Sequence, residues 1–289
     1  MANTILVTGA TGTVGSILVE KLASAGQPAR ALVRSGKKAE GIEKFSIKTI
    51  IGDLAQPETL KPALEGIEKV FLLSAPDPQQ AELQSNLIKA AKVAGVQHIV
   101  KLSAFGVGSG LEAISLGRLH RDTEEEIERS GIAYTHLRPN GFMQNSLMFA
   151  GTMRAQGVFY ASLGDAKVSY VDARDVAAVA FSALTQDGHE GKAYEITGPV
   201  ALSYAEVARE LSAALGRDVK YVNVPMDTAR EAMIGMGMQE WLANALVQLF
   251  ELYKNGGAER VTDDVTRVAG REPITFSQFA RDYATAFQG

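Results

Sequence analysis

The chain has 289 residues, a formal net charge of −4, and 46% hydrophobic against 21% charged residues, as in ordinary globular proteins. Because the basic residues are dispersed, we expect neither nucleic acid nor an anionic membrane surface as a partner. The absence of cysteine excludes disulfides and thiolate nucleophiles, and no apolar run reaches the roughly 18–20 residues of a membrane span, so we expect a cytoplasmic protein.

The first predicted element is the strand–turn–helix segment Thr4–Gly15, TILVTGATGTVG. An apolar run at Ile5–Val7 predicts a strand, and the following SILVEKLASAG predicts an amphipathic helix. In this order, backbone N–H groups at the helix N-terminus can face a pyrophosphate. Gly9 would make the exit from the strand, Gly12 would admit a phosphate, and Gly15 would let the helix pack closely. The spacing GxxGxxG differs by one residue from the commonest dinucleotide fingerprint, and a merely tight turn is the alternative.

Strands then alternate with helices through the first half of the chain. Further strands are predicted at residues 29–33, 47–51, 69–73, 98–102 and 133–137. Helices are predicted at residues 57–65, 79–94 and 116–130. Most strands are apolar without alternation, which is typical of a parallel sheet covered by helices on both faces. We therefore predict an α/β fold, a Rossmann-like doubly wound parallel sheet with a small C-terminal α/β substrate lobe.

Beyond residue 142 the alternation is less regular. Asp172 is a candidate N-cap of a helix, residues 193–197 predict a strand, and Ser203 with Glu206 forms a capping box that opens another helix. The predicted domains are a dinucleotide-binding domain of residues 1–142, to which 168–199 returns, and a substrate-covering lobe of residues 143–167 and 200–289.

Ligands of such sheets bind at the carboxyl ends of the strands. This rule selects a set of candidate cofactor residues: Gly9–Gly15, Arg34, Asp53 with Leu54, Ser74–Pro76, Ser103 and Pro139–Phe142. Arg34 ends the second strand, where NAD sites usually hold a carboxylate, and Lys37 and Lys38 follow it. We therefore predict that NADP(H) is preferred over NAD(H), a solvated basic loop being the alternative. Asp53 could meet the adenine amino group or be a simple turn residue.

The usual proton donor of short-chain carbonyl reductases, Tyr-x-x-x-Lys, is missing, because none of the eight tyrosines has lysine four positions on. His120 is the candidate catalytic residue in its place, either orienting the nicotinamide ribose or donating a proton. A surface histidine on a charged helix is the alternative. The other three histidines read as structural, Glu124–Glu126 as a solvated face, and no spacing predicts a metal site.

Several segments together resemble one known family. They are VTGATGTVG, LVRSGKK, GD at Gly52-Asp53, LLSAP, LRPNGFMQN, YVDARDVAAVA and KAYEITGP. Their order over essentially the whole chain resembles the NmrA-like branch of atypical short-chain dehydrogenases. Within it, the chain is similar to bacterial type 2 NAD(P)H:quinone oxidoreductases and triphenylmethane-dye reductases. The resemblance implies an NADP(H)-binding Rossmann lobe with a small C-terminal lobe over the nicotinamide.

The resemblance also implies roles for particular residues. Pyrophosphate contacts would come from Gly9, Thr11, Gly12, Thr13, Val14 and Gly15, with Arg34 and Lys38 near the 2′-phosphate and Asp53 and Leu54 near the adenine. Ser74, Ala75 and Pro76 would line the ribose and nicotinamide, and Ser103, His120, Pro139, Asn140 and Phe142 would lie near the reactive ring.

Two functions follow from this reading. The first is an NADPH-dependent reductase of a quinone-like or other planar electrophilic acceptor such as a dye, a reaction that needs no strong acid because the charge formed is delocalised or neutralised. The apolar segment Phe142–Phe149 and the methionines near Met233–Met238 would supply a pocket for such a ring. The alternative is a non-catalytic NADP(H)-binding redox sensor of the NmrA type, which shares every cofactor residue. The oligomeric state cannot be read from the sequence.

Overall fold

A computed structural model of the chain describes residues 4–43, 45 and 47–288. The strands are β1 (Ile5–Val7), β2 (Ala29–Val33), β3 (Lys48–Ile51), β4 (Lys69–Leu72), β5 (His98–Leu102), β6 (Ala133–Pro139), β7 (Val158–Ala161), β8 (Lys167–Val168), β9 (Lys192–Ile196), β10 (Leu202–Ser203) and β11 (Lys220–Asn223).

The first six helices are α1 (Thr13–Ser24), α2 (Gly36–Glu43), α3 (Leu60–Leu64), α4 (Gln80–Ala94), α5 (Ser115–Ser130) and α6 (Ala150–Gln156). They are followed by α7 (Ala173–Thr185), α8 (Tyr204–Leu215), α9 (Met226–Gly235), α10 (Glu240–Lys254), α11 (Asp264–Ala269), α12 (Phe276–Asp282) and α13 (Ala284–Gln288). Short 3₁₀ segments lie at Pro57–Thr59, Leu111–Ala113 and Met143–Phe149. No helix within the described ranges is long and apolar enough to cross a bilayer.

Seven strands form one sheet in the order β3-β2-β1-β4-β5-β6-β9. Every pairing from β3 to β6 is parallel. The chain winds outward in one direction from β1 through β2 and β3, then returns to the other side of β1 with β4. This reversal beside β1 is where doubly wound sheets bind their ligands. The predicted Rossmann-like fold is confirmed.

The chain divides into two compact units. The first unit contains residues 1–112, 117–138 and 176–194, and the second contains 113–116, 139–175 and 195–289. The sequence prediction assigns residues 113–116, 139–142, 168–175 and 195–199 to the first domain, whereas all four segments belong to the second unit.

Each unit has its own apolar core. In the first unit, strand residues such as Leu6 and Ile99 pack with Leu60, Leu87 and Ile127 from the covering helices. The second unit packs aromatic residues instead, among them Phe159, Phe279 and Phe287. It also contains two small sheets, one pairing β7 with β11 in parallel and one pairing β8 with β10 in antiparallel.

Two local predictions need correction. No helix is predicted directly after β2, but one begins at Gly36, because Ala39 and Ile42 of α2 are buried and anchor it. The single helix predicted for residues 57–65 is a 3₁₀ segment followed by α3. Pro62 is the third residue of α3, where its missing N–H would have no intrahelical partner in any case.

Candidate cofactor site and active site

The glycine-rich turn after β1 is shaped by two close backbone contacts. Gly9 has φ of +60°, and a Cβ placed on it would lie 2.8 Å from the Leu73 side chain. A Cβ on Gly15 would lie only 2.1 Å from the Gly9 carbonyl oxygen. Only glycine fits at either position, because one needs a left-handed backbone and the other needs α1 to lie directly against the turn.

The N-terminus of α1 is open to a ligand. Gly12 is the N-cap, no side chain caps the helix, and its first turn contains no acid. Thr11, Gly12 and Thr13 are exposed, whereas Val14 and Gly15 are buried and present only backbone to this end of the helix. The first N–H groups of a helix have no intrahelical partners and carry the positive end of its dipole. A pyrophosphate fits the open helix end, and it would satisfy these donors.

Three basic residues surround the start of α2. Arg34 directly follows β2, and Lys37 and Lys38 lie in the first turn of the helix; all three are exposed. Cations are unfavourable near a helix N-terminus by about 0.3–1 kcal/mol each, and the first turn of α2 contains no acid to offset them. This end of β2 therefore presents an uncompensated positive surface to an anion.

Asp53 adopts the turn role that was the alternative reading. One carboxylate oxygen accepts a hydrogen bond from the Ala55 N–H at 3.0 Å, and its own N–H donates to Thr59 Oγ1 at 2.9 Å. The other carboxylate oxygen stays available, since the residue is only partly buried. Leu54 is 9% exposed, and its carbonyl accepts a hydrogen bond from Asn86.

The loop after β4 starts beside the glycine turn. Thr8 Oγ1 donates to the Leu73 carbonyl at 2.7 Å and accepts from the Leu73 N–H at 2.8 Å, which ties the ends of β1 and β4 together. Ser74 Oγ accepts a hydrogen bond from Gln84 Nε2 of α4 at 2.8 Å, and Ala75 and Pro76 are exposed.

The strand register brings the first unit's candidates to one edge. Val7 pairs with Phe71, Leu72 pairs with Lys101, and Leu102 pairs with Leu137. The strands β1, β4, β5 and β6 therefore reach their carboxyl ends at the same level. The residues that follow these ends, among them Gly9, Ser74 and Ser103, lie along one edge of the sheet.

A set of six polar residues lies between α5 and the sheet, and we call it the polar layer. It consists of His120, Glu124 and Glu128 of α5, Lys101 of β5, and His136 and Arg138 of β6. The helical members are spaced four apart and share one face, and Lys101 pairs with His136 in register, so the strand members share the opposing face. Glu124 was predicted to be solvated, which is wrong: it is fully buried.

Within the polar layer, each helical residue contacts one strand residue. Glu124 accepts two hydrogen bonds from Arg138, at 3.0 and 2.6 Å, and Glu128 lies 3.3 Å from His136 Nε2. Burial raises the pKa of Glu124, but Arg138, followed by His136 and Ser103, lowers it further, so the carboxylate is charged. Ligand atoms of Glu124, Glu128 and His136 lie within 4.8 Å of one another, yet arginines already bind both carboxylates.

His120 is paired with a residue that the sequence reading overlooked. Its Nδ1 lies 3.0 Å from Nζ of Lys101, which is fully buried and also donates to the Leu102 carbonyl. Burial lowers the pKa of Lys101 to about 7; Glu124 opposes this shift and Arg138 adds to it. Burial and the nearby Lys101 hold the pKa of His120 well below its usual range. The signal for Lys101 was a lysine between the apolar residues Val100 and Leu102 of the strand HIVKL.

The remaining candidates, Pro139, Asn140 and Phe142, belong to the second unit. Asn140 is buried with all its polar side-chain groups in use: Nδ2 donates to Ser169 Oγ and the Ala258 carbonyl, and Oδ1 accepts from the Gly141 N–H. Its side chain therefore holds the local fold and has no donor left for a cofactor. Pro139 is buried, and the partly buried Phe142 pairs with Val171.

The NmrA-like family model matches residues 1–280 of the chain. The chain belongs to the NmrA-like family. It is 46% identical to NAD(P)H azoreductase of Xenophilus azovorans over 98% of this chain and 99% of that relative. The family predicted from the sequence is confirmed.

Two solved structures show how closely the fold is shared with enzymes of the family. The NADPH complex of the NADPH-dependent quinone oxidoreductase of Escherichia coli is 30% identical, has a TM-score of 0.87, and is matched over 96% of this chain and 99% of that one. The triphenylmethane reductase of Citrobacter sp., solved with NADP(H), is 26% identical, has a TM-score of 0.85, and is matched over 97% and 99%.

Proposed function

We propose that this chain is an NADPH-dependent reductase that delivers hydride to a planar electrophilic acceptor such as a quinone or a dye. The observation that carries the proposal is the 46% identity to an NAD(P)H azoreductase over 98% of this chain and 99% of that relative. The predicted class, a nicotinamide-dependent oxidoreductase, is confirmed. When bound, the dinucleotide supplies the hydride.

The first unit supplies the residues that would hold the dinucleotide. The open N-terminus of α1, with Gly12 as its N-cap, would bind the pyrophosphate through backbone N–H groups, and the exposed hydroxyls of Thr11 and Thr13 lie beside it. Asp53 keeps one carboxylate oxygen for the adenine, and the loop from Ser74 to Pro76 would line the ribose. These roles rest on positions along a single sheet edge.

A preference for NADP(H) over NAD(H) rests on the basic residues at the start of α2. Arg34 and Lys38 form no ion pair within the described part of the chain, and a 2′-phosphate would offset the unfavourable position of the lysine. A charge-assisted hydrogen bond contributes about 1.5–3 kcal/mol, so Arg34→Ala should raise the Kd for NADPH by about 10- to 100-fold. NADH is the internal control, and an equal loss for both dinucleotides would contradict the role.

The acceptor is tested by steady-state NADPH oxidation with a panel of quinones, azo dyes and cationic triarylmethane dyes. We expect saturable turnover with at least one class, because all offer a flat electron-poor centre that accepts hydride. Tight NADPH binding without turnover on any acceptor would refute the reductase. In that case the alternative, a sensor that binds NADP(H) without catalysis, would account for the same cofactor residues.

A further inference from the structure

One lysine of the first unit lies fully buried in a central strand of the sheet. Lys101 lies in β5, paired on both sides by β4 and β6, and none of its surface is exposed. A buried ammonium normally needs a carboxylate partner, because isolated charges are strongly destabilised away from water. Within the described residues Lys101 has no carboxylate within ion-pair distance, and Glu124 is bound by Arg138. Its Nζ points to His120 Nδ1 instead.

The position of this pair matches a place where protons are needed. Lys101 is two residues before Ser103, at the carboxyl edge that the dinucleotide would occupy, and α5 holds His120 against the same strand. Because Nδ1 of His120 contacts Lys101, its Nε2 is the ring atom left for a reacting molecule. His120 is only partly buried, whereas Lys101 behind it is fully buried.

We propose that Lys101 and His120 form a proton relay, an inference that rests on the proposed function. The relay protonates those acceptors that need a proton in addition to hydride. Reduction of a quinone consumes one hydride and one proton and yields a hydroquinone. A cationic triarylmethane dye consumes hydride alone and becomes a neutral leuco dye. Because the negative charge of a reduced quinone is delocalised, a strong acid is not needed. The quinone oxygen must nevertheless receive a proton.

The relay moves one proton and leaves no charge unaccounted for. The Nε2–H of neutral His120 gives its proton to the reduced acceptor's oxygen, while Nδ1 takes a proton from the Lys101 ammonium. Lys101 becomes neutral and His120 regains its neutral form as the opposite tautomer. Proton exchange with solvent then restores the starting state. His120 touches the acceptor in this scheme, and Lys101 acts through it.

The charges around Lys101 agree with this role. The groups that face it are His120 and Glu124 from α5 and His136 and Arg138 from β6. Both histidines are neutral at neutral pH because burial lowers their pKa values, that of His136 to about 4. Glu124 and Arg138 offset each other. Lys101, with a pKa of about 7, is therefore the group of this set that gains and loses a proton near neutral pH.

The test compares two acceptors in one enzyme. Lys101→Met keeps the length of the side chain and removes the proton, so we expect the ratio of quinone to cationic-dye kcat to fall by about 100-fold. His120→Asn keeps an acceptor for Lys101 but cannot pass a proton on, and should lower the ratio similarly. The double variant should lose no more than either single variant, because both substitutions break the same relay.

The matched control is Lys69→Met, the same substitution at a buried lysine at the opposite, amino end of the neighbouring strand β4. It should leave the acceptor ratio unchanged. A purely structural Lys101 predicts that both acceptors lose activity equally in Lys101→Met, and that result would overturn the relay.

The wild-type enzyme provides a test that does not depend on folding of a variant. Its quinone-to-dye ratio should fall about tenfold per pH unit above pH 7, as the Lys101 ammonium deprotonates, and a flat ratio between pH 6 and 8.5 would refute the relay. A fall in the ratio of quinone to dye turnover, while the dye is still reduced, supports the relay. Failure of the wild-type enzyme with every acceptor would instead remove the proposed function itself.

Discussion

Alanine substitutions at Gly12 and Gly15, the two glycines at the start of α1, should have different effects. Gly12→Ala should mainly weaken NADPH binding, and Gly15→Ala should mainly lower the stability of the fold. In Gly12→Ala, the new Cβ meets only the Gly9 carbonyl oxygen, at 3.3 Å, which a shift of a few tenths of an ångström relieves. Alanine is a poorer N-cap than glycine, so the free energy of unfolding should fall by about 0.5–1 kcal/mol. The methyl group, however, occupies the exposed helix end that would bind the pyrophosphate.

Gly15→Ala should act in a different way. Its Cβ would lie 2.1 Å from the Gly9 oxygen, so helix and turn must separate by about 0.9 Å to reach the 3.0 Å limit of real contacts. The position of a Cβ is fixed by the backbone, and the Gly9 oxygen is itself a backbone atom, so no side-chain rotation relieves the contact. Overpacking of this kind costs about 3 kcal/mol. We expect a Tm lower by about 6–12 °C.

The assays are thermal unfolding of the free protein and fluorescence titration with NADPH. Gly12→Ala should raise the Kd about 10- to 100-fold, through loss of one charge-assisted hydrogen bond, while the Tm changes by at most about 4 °C. Gly151→Ala is the matched control, because Gly151 lies in α6 with no atom near its added Cβ, and it should change neither quantity for the worse. An unchanged Kd in Gly12→Ala would refute the placement of the pyrophosphate.

Asn140→Ala removes two buried hydrogen bonds and one partly buried one, and should lower the free energy of unfolding by about 3 kcal/mol, measured by urea titration; a loss below 1 kcal/mol would contradict its structural role. His98 and His136 are buried, and burial lowers both pKa values from 6.5 to about 4. As the pH falls, the unfolded chain therefore binds these protons before the folded protein does. The free energy of unfolding should fall from pH 6.5 towards pH 4 by up to about 1.4 kcal/mol per pH unit for each histidine. Urea midpoints measured at pH 7 and at pH 5 check this prediction. Ser203→Ala should cost about 1 kcal/mol, because its hydroxyl accepts the Glu206 N–H of the capping box; the same urea titration tests it.

Local sequence signals located the elements that depend on local chemistry. The strand predicted at His98–Leu102 is β5 to the residue. Ser203 and Glu206 form the capping box that the sequence predicts, and Gly216 ends the helix in a left-handed conformation. Asp172 accepts a hydrogen bond from the Arg174 N–H at the start of α7, as its N-cap reading required.

The interpretation failed where distant partners decide what a residue does. Glu124 looks like part of an acidic surface run, and only the position of Arg138, fourteen residues later on another element, makes it a buried ion-pair member. The place of Asn140 near the reactive ring stays a prediction, but its side-chain amide donates to Ser169 and to the Ala258 carbonyl, partners that the sequence does not reveal. Lys101 received no role in the sequence analysis, because strands are predicted from their apolar residues. The one lysine of this strand was nevertheless its most informative residue.

The connectivity of the two units has a consequence for how the protein can be made. Neither unit is one continuous piece of chain, and β9, the last strand of the seven-stranded sheet, is synthesised only after residues 139–175 of the second unit. During synthesis on a ribosome, the outer edge of β6 therefore stays unpaired until β9 has emerged, which requires about two thirds of the polypeptide. Truncation at residue 138 would make that exposed edge permanent, and unpaired strand edges promote aggregation. Isolating the first unit alone would require a circularly permuted or loop-bridged gene that restores β9.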